Sequence, residues 1–140
     1  KCAILGYGKV GKVLARTLKN LGAEVTVFAR KERDLADANT KFYKTATFNE
    51  LEKKEFMFDA LINTVPEKVL SHEEMKNINQ ECLFIEIASS PFGIDFQAAK
   101  EYAFDVIKAN SLPGKVAPKT AGEIIGRSIL PIIEKRGGNK

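Results

Sequence analysis

Between the apolar run Cys2-Ala3-Ile4-Leu5 and a lysine-studded amphipathic stretch, the chain carries Gly6-Tyr7-Gly8-Lys9-Val10-Gly11. A G-x-G-x-x-G on its own is a weak signal, but its surroundings narrow what the chain can become. The run before it reads as a strand buried on both faces. After it, Val10, Val13, Leu14, Leu18 and Leu21 recur at helical spacing, with Gly22 placed to stop the helix. Glu24-Val25-Thr26-Val27-Phe28 follows as a second, β-branched strand, completing a strand-helix-strand unit of about 30 residues. In such a unit the glycines serve different ends. Gly6 makes the tight turn, Gly8 lets backbone approach a diphosphate, and Gly11 lets helix pack on strand. The amino end of the helix then offers free N–H groups and partial positive charge to phosphates. Gly6 to Val13 also fits a kinase loop, G-x-G-x-x-G-x-V, yet the downstream H-R-D and D-F-G of a kinase are absent from the sequence. A glycine turn that binds nothing stays open as the bland alternative.

The end of the second strand carries the next clue. An NAD site places an Asp or Glu there to accept hydrogen bonds from the ribose 2′-hydroxyl. Here the chain reads Val27-Phe28-Ala29-Arg30-Lys31-Glu32-Arg33. Arg30 stands where the carboxylate is expected, with Lys31 and Arg33 beside it. Guanidinium pairs with a 2′-phosphate through a charge-assisted fork, so NADP is favoured over NAD, which remains possible. A solvated basic turn, diluted by Glu32 and Asp34, is the competing reading.

The alternation continues along the chain. A helix is expected over Lys31–Asn39 and a strand over Phe42-Tyr43-Lys44. Thr47-Phe48-Asn49-Glu50 and Ser71-His72-Glu73-Glu74 are capping boxes that open helices reaching Lys54 and Asn77. Strands are expected over Asp59–Asn63, Cys82–Ala88 and Asp105–Lys108, a helix capped by Asp95 runs through Ala103, and a long terminal helix spans Thr120–Arg136. Strands separated by helices imply right-handed crossovers and a parallel sheet covered on both faces. The expected class is α/β: a Rossmann-type, doubly wound, three-layer α/β/α fold with a long C-terminal helix. Residues 1–140 are expected to form one nucleotide-binding domain, and the abrupt start at Lys1 suggests excision from a longer chain.

In such a sheet ligands lie beyond the carboxyl ends of the strands. Asn63-Thr64-Val65-Pro66, Ala88-Ser89-Ser90-Pro91 and Asn110-Ser111-Leu112-Pro113-Gly114 each follow an expected strand. Any one of them passes for an ordinary turn; all three together with the glycine loop suggest a cofactor crevice. The candidate cofactor residues are therefore Gly6, Tyr7, Gly8, Lys9, Val10, Gly11, Arg30, Lys31, Arg33, Asn63, Thr64, Val65, Pro66, Ala88, Ser89, Leu112 and Pro113. His72, the one histidine, sits on the first turn of a charged helix and reads as surface. Glu86, inside an apolar run, must find a partner, and a structural role is preferred to a catalytic one. No catalytic acid or base and no metal ligands are assigned. Cys2 and Cys82 read as reduced thiols in the core.

With a formal charge of +4 but no basic block, the chain has no nucleic-acid arm. It has no membrane-length apolar run and no signal-peptide pattern, which makes the cytoplasm the expected location.

The segment Pro113-Gly114-Lys115-Val116-Ala117-Pro118-Lys119-Thr120-Ala121-Gly122 resembles the carboxyl-terminal signature of the dipicolinate synthase A-chain family. Two further stretches are similar to that family: Ile85-Glu86-Ile87-Ala88-Ser89-Ser90-Pro91-Phe92-Gly93-Ile94-Asp95 and Ile62-Asn63-Thr64-Val65-Pro66. The family usually has Asp where Glu86 stands and Gly where Phe92 stands. The resemblance implies an NADP-linked dehydrogenase subunit that oxidises a dihydrodipicolinate-type precursor to dipicolinate during spore formation, in the mother-cell cytoplasm, partnered by the second synthase subunit. It also implies an amino-terminal domain that this piece lacks, so the piece alone would be inactive. Lys115 and Lys119 are candidates to attract the substrate's two carboxylates, or are a solvated pair. Homo-oligomers are compatible with this reading. Two rivals remain. D-2-hydroxyacid dehydrogenases share the glycine loop but use an arginine after the fifth strand and a late histidine. A nucleotide-sensing regulatory domain mostly ends its second strand in an acid.

Overall fold

Eleven elements alternate along residues 1–109, the part of the chain described by this computed structural model. They are β1 (Cys2–Leu5), α1 (Lys9–Asn20), β2 (Val25–Phe28), α2 (Glu32–Thr40), β3 (Lys44–Ala46), α3 (Phe48–Lys53), β4 (Ala60–Asn63), α4 (His72–Met75), β5 (Leu83–Glu86), α5 (Phe96–Glu101) and β6 (Val106–Lys108). All strand pairs are parallel, in the order β3-β2-β1-β4-β5-β6. This is the expected Rossmann-type sheet. The terminal helix expected over Thr120–Arg136 lies outside the described residues.

Side-chain alternation along the strands builds a core on each face of the sheet. Ile4, Val25 and Val27 point to one face and pack with Ala15 of α1, Ala38 of α2 and Tyr43. Ala3, Leu5, Phe28, Leu61 and Phe84 point to the other, where Leu51, Met75, Ala98 and Ala99 bring in α3, α4 and α5. Phe28 is fully buried and meets Phe56 and Phe58 edge-on at ring separations of 5.3 and 6.1 Å. Burying a side chain of this size contributes about 1.5–3 kcal/mol.

Three local expectations shift. The third strand starts at Lys44 rather than Phe42, because Phe42 takes a left-handed φ of 60° and lies 86% exposed, so it turns the chain out of α2. Tyr43 is buried but is spent anchoring that turn in the core. In α1 the inner line is not the large apolar stripe: Gly11 and Ala15 are buried and Leu14 and Leu18 half-buried, while Val10, Val13 and Leu21 are exposed. The reason is proximity, since a Cβ at Gly11 would lie 2.1 Å from the Gly6 carbonyl oxygen. A helix set that close to its strand has room only for small residues along the contact line. The fifth strand is also shorter than Cys82–Ala88, because after Glu86 the chain bends and the Ala88 N–H turns back to donate to the Glu86 carboxylate at 3.0 Å.

Both cysteines are free; Cys82 is buried and Cys2 half-buried. Burial pushes the Cys82 thiol up to about 12. Among the described residues, no helix is long and apolar enough to cross a membrane.

Candidate functional site

The register sets one row of residues abreast at the carboxyl edge of the sheet: Ala46, Phe28, Leu5, Asn63, Glu86 and Lys108. The chain leaves β1 outward through β2 and β3, then returns to lay β4 on the other side of β1. At this reversal the loops after β1, β2 and β4 part, and a crevice of about 310 Å³ opens between them.

Its floor is the glycine loop. Gly6 has φ +96°, and a Cβ there would meet Val65 Cγ2 at 2.6 Å and Thr64 Oγ1 at 2.7 Å. Thr64 closes this side, donating from its N–H and its hydroxyl to the Leu5 carbonyl at 3.0 and 2.9 Å. Gly8 differs from its two companions: its backbone is extended, and a Cβ built on it would have nothing within 4 Å. Gly8 also lines the crevice, and uncrowded glycine backbone at such a place is the condition for approach to a diphosphate.

Gly8 is also the N-cap of α1, with no side-chain cap and no acid in the first turn. Lys12 N–H is the first amide of the helix bonded locally, to Gly8 O at 2.9 Å; those of Lys9, Val10 and Gly11 have no acceptor among the described residues. By contrast, α3 and α4 carry complete capping boxes, and Asp95 accepts from Gln97 N and Ala98 N at the start of α5. The open space and the bare amides fit the diphosphate of a dinucleotide.

Of the residues singled out in the sequence, Gly6, Tyr7, Gly8, Lys9, Val10 and Gly11 line the crevice. So do Arg30 and Lys31 from the second strand end, and Thr64, Val65 and Pro66 from the fourth. The Tyr7 ring is buried against Tyr43 in the core beneath α1, so Tyr7 presents main chain to the crevice. Burial raises the affinity of its hydroxyl for its proton, with Lys41 opposing. Ala88 and Ser89 line an adjoining depression that shares Val10, Thr64 and Pro66 with the crevice.

Two candidates fall elsewhere. Arg33 is absent from the lining because it lies on the exposed first turn of α2, 3.6 Å from Asp34. Asn63 is fully buried rather than exposed to a ligand. Its amide nitrogen donates to Glu86 Oε1 at 2.7 Å and to Val65 O at 2.9 Å, while its Oδ1 accepts from Val65 N at 3.1 Å. Glu86, also fully buried, accepts further from Ala88 N, Gly93 N and Ile94 N at 2.9–3.0 Å. The buried carboxylate thus has the structural partners its position demands, and it ties the loop after β4 to the loop after β5. Leu112, Pro113, Lys115 and Lys119 lie outside the described residues.

Sequence reasoning missed Ala29, Asp34 and Phe48 in the crevice wall. It also missed Glu67, whose Oε2 sits 2.6 Å from a terminal nitrogen of Arg30. No local pattern announces these contacts, which the crossovers create. His72 is exposed, bonded to Glu101 at 2.5 Å, and outside the crevice.

The doubly wound sheet, its reversal beside β1 and the open glycine loop define a dehydrogenase-type nucleotide-binding domain. Residues 1–128 match the family model described as S-adenosyl-L-homocysteine hydrolase, NAD binding domain. The chain is 34% identical over 131 residues to the dipicolinate synthase A subunit of Bacillus subtilis (strain 168), covering 94% of this chain and 44% of that protein. It belongs to the dipicolinate synthase A-chain family, as an NAD-binding domain. The crystal structure of dipicolinate synthase, A chain, from Bacillus subtilis superposes with a TM-score of 0.89 at 33% identity, covering 99% of this chain and 47% of that one. The corresponding structure from Bacillus halodurans gives 0.87 at 32% identity, covering 94% and 45%. The chain therefore spans somewhat under half the length of the relatives it matches.

Proposed function

We propose that this chain is the NADP-binding part of a dehydrogenase subunit that oxidises a dihydrodipicolinate-type dicarboxylate to dipicolinate. The observation that carries the reading is the pairing of an open diphosphate cradle at Gly8 with a guanidinium, Arg30, at the neighbouring strand end. When bound, the nicotinamide supplies the hydride acceptor whose reduction leaves the substrate ring aromatic. The chain's own part is to orient. Main-chain amides at Lys9, Val10 and Gly11 would hold the diphosphate, and Arg30 with Lys31 would take the 2′-phosphate. Thr64, Val65 and Pro66 would form the opposite wall, with Ala88 and Ser89 continuing it toward the reacting ring. Lys115 and Lys119 would attract the substrate carboxylates.

Residues 1–140 would act as one domain of a longer polypeptide, working with a second synthase subunit in the mother cell of a spore former. Family membership supports this setting.

Titration of the chain with NADP and with NAD tests the cofactor reading. NADP is expected to bind more tightly to the parent, and Arg30→Asp is expected to reverse the order. Equal indifference of the parent chain to both nucleotides would leave only the fold.

A further inference from the structure

Arg30 follows β2 and Glu67 follows β4, the strands on either side of β1, so their ion pair reaches across the mouth of the crevice. Arg30 lines the cavity and Glu67 is one residue beyond Pro66, which also lines it. The two side chains are 65% and 61% exposed, and the closest approach is 2.6 Å. Among the described residues Glu67 has no other cationic partner: neighbouring Lys68 pairs with Asp95, and Arg33 lies against Asp34.

An exposed pair of this kind is weak and yields readily to a better ligand. Its two members respond oppositely to the two dinucleotides. A 2′-phosphate drawn to Arg30 must displace Glu67 or share the guanidinium with it, and in either case it sits near the Glu67 carboxylate, a like-charge contact that is unfavourable. A 2′-hydroxyl has no such conflict and can donate to a carboxylate, the service that an acid ending the second strand performs in NAD sites. Here the second strand end carries arginine, and the carboxylate arrives from across the crevice.

We propose that Glu67 is a specificity-determining residue of this site, competing with the ribose 2′-phosphate for Arg30 and so holding down the preference for NADP over NAD. The inference rests on the cofactor reading above. It makes the preference a balance between two opposed charges, where Arg30 alone would give a one-sided choice.

The test is calorimetric titration of the 140-residue chain, parent and Glu67→Gln, with NADP and with NAD at low and high salt. The glutamine is nearly isosteric and its site is exposed, so the fold is undisturbed. Glu67→Gln is expected to tighten NADP by about three- to tenfold and to leave NAD unchanged or weakened by about twofold. The gain in NADP should shrink at high salt. If both nucleotides bind and their ratio is the same in parent and variant, the role of Glu67 is overturned and the cofactor reading stands. If neither nucleotide binds either protein, the cofactor reading is overturned and this inference with it.

Discussion

The three glycines of the first loop look alike as letters but occupy different physical situations. Gly6 is held at a positive φ with Thr64 and Val65 against it, and Gly11 lies on the Gly6 carbonyl, whereas Gly8 faces empty space. The fold therefore sets a side-chain requirement at Gly11 and sets none at Gly8. Gly8→Ala should change stability by less than about 1 kcal/mol, because its extended backbone suits any residue. It should weaken dinucleotide binding by roughly tenfold or more. Gly11→Ala should destabilise by about 2 kcal/mol or more, since a Cβ at 2.1 Å must push helix from strand. Urea denaturation and nucleotide titration on the two variants separate these effects; equal losses of stability would contradict them. Phe92 is a further residue-scale case. Its φ of 68° is the left-handed conformation, which favours glycine over a residue with a side chain. Here the ring packs edge-on to Phe96 at 5.6 Å.

At the level of elements, the ends of helices are more legible in the sequence than their faces. Both capping boxes form as the sequence indicates, with Thr47 N–H and Ser71 N–H donating to Glu50 and Glu74 at 2.8 and 2.6 Å. These are local exchanges within four residues, so no knowledge of the fold is needed to see them. The buried face of α1 departs from its apolar stripe because periodicity ranks side chains by hydrophobicity, whereas the real contact line is set by how near the helix lies to β1. Glu50 gives the caps a measurable consequence. Lys54 and the Thr47 amide hold its carboxyl down from the usual 4.5 to about 2. A depressed folded-state value means its stabilisation is present above about pH 4.5 and is lost as pH falls toward about 2. Parent chain should thus exceed Glu50→Gln in urea midpoint near pH 6, with the gap closing as the pH is lowered through about 4 to 3. A gap constant across that range would exclude the ionised cap as its source. Solvent screening at this half-open site keeps the effect modest.

For the molecule as a whole, the parallel sheet follows from alternation, and the crevice from where a doubly wound sheet must part, whereas the strand order is read from the structure. The partners of Arg30 and Asn63 do not follow. Glu67 and Glu86 lie far away along the chain and meet those residues only because crossovers bring loop ends together. Nor does the sequence show that Asn63, read as a ligand contact, is covered by the loop after β5. Glu86 is where this integration is greatest, since one carboxylate receives N–H groups from Asn63, Ala88, Gly93 and Ile94. Glu86→Ala strands buried donors and should lower unfolding free energy by about 2–4 kcal/mol, with Glu86→Gln intermediate. Chemical denaturation measures both, and a neutral Glu86→Ala would show that water replaces the carboxylate.

The close fit at Gly93 has a consequence for how this region can change over generations. A Cβ there would fall 2.3 Å from the Asn63 amide nitrogen and 2.6 Å from the Val65 carbonyl. Positions 63, 86 and 93 are therefore not independent letters: a lineage that enlarges one must trim or rotate another in the same step, and an engineer who wishes to reshape this wall has to transplant the trio as a set.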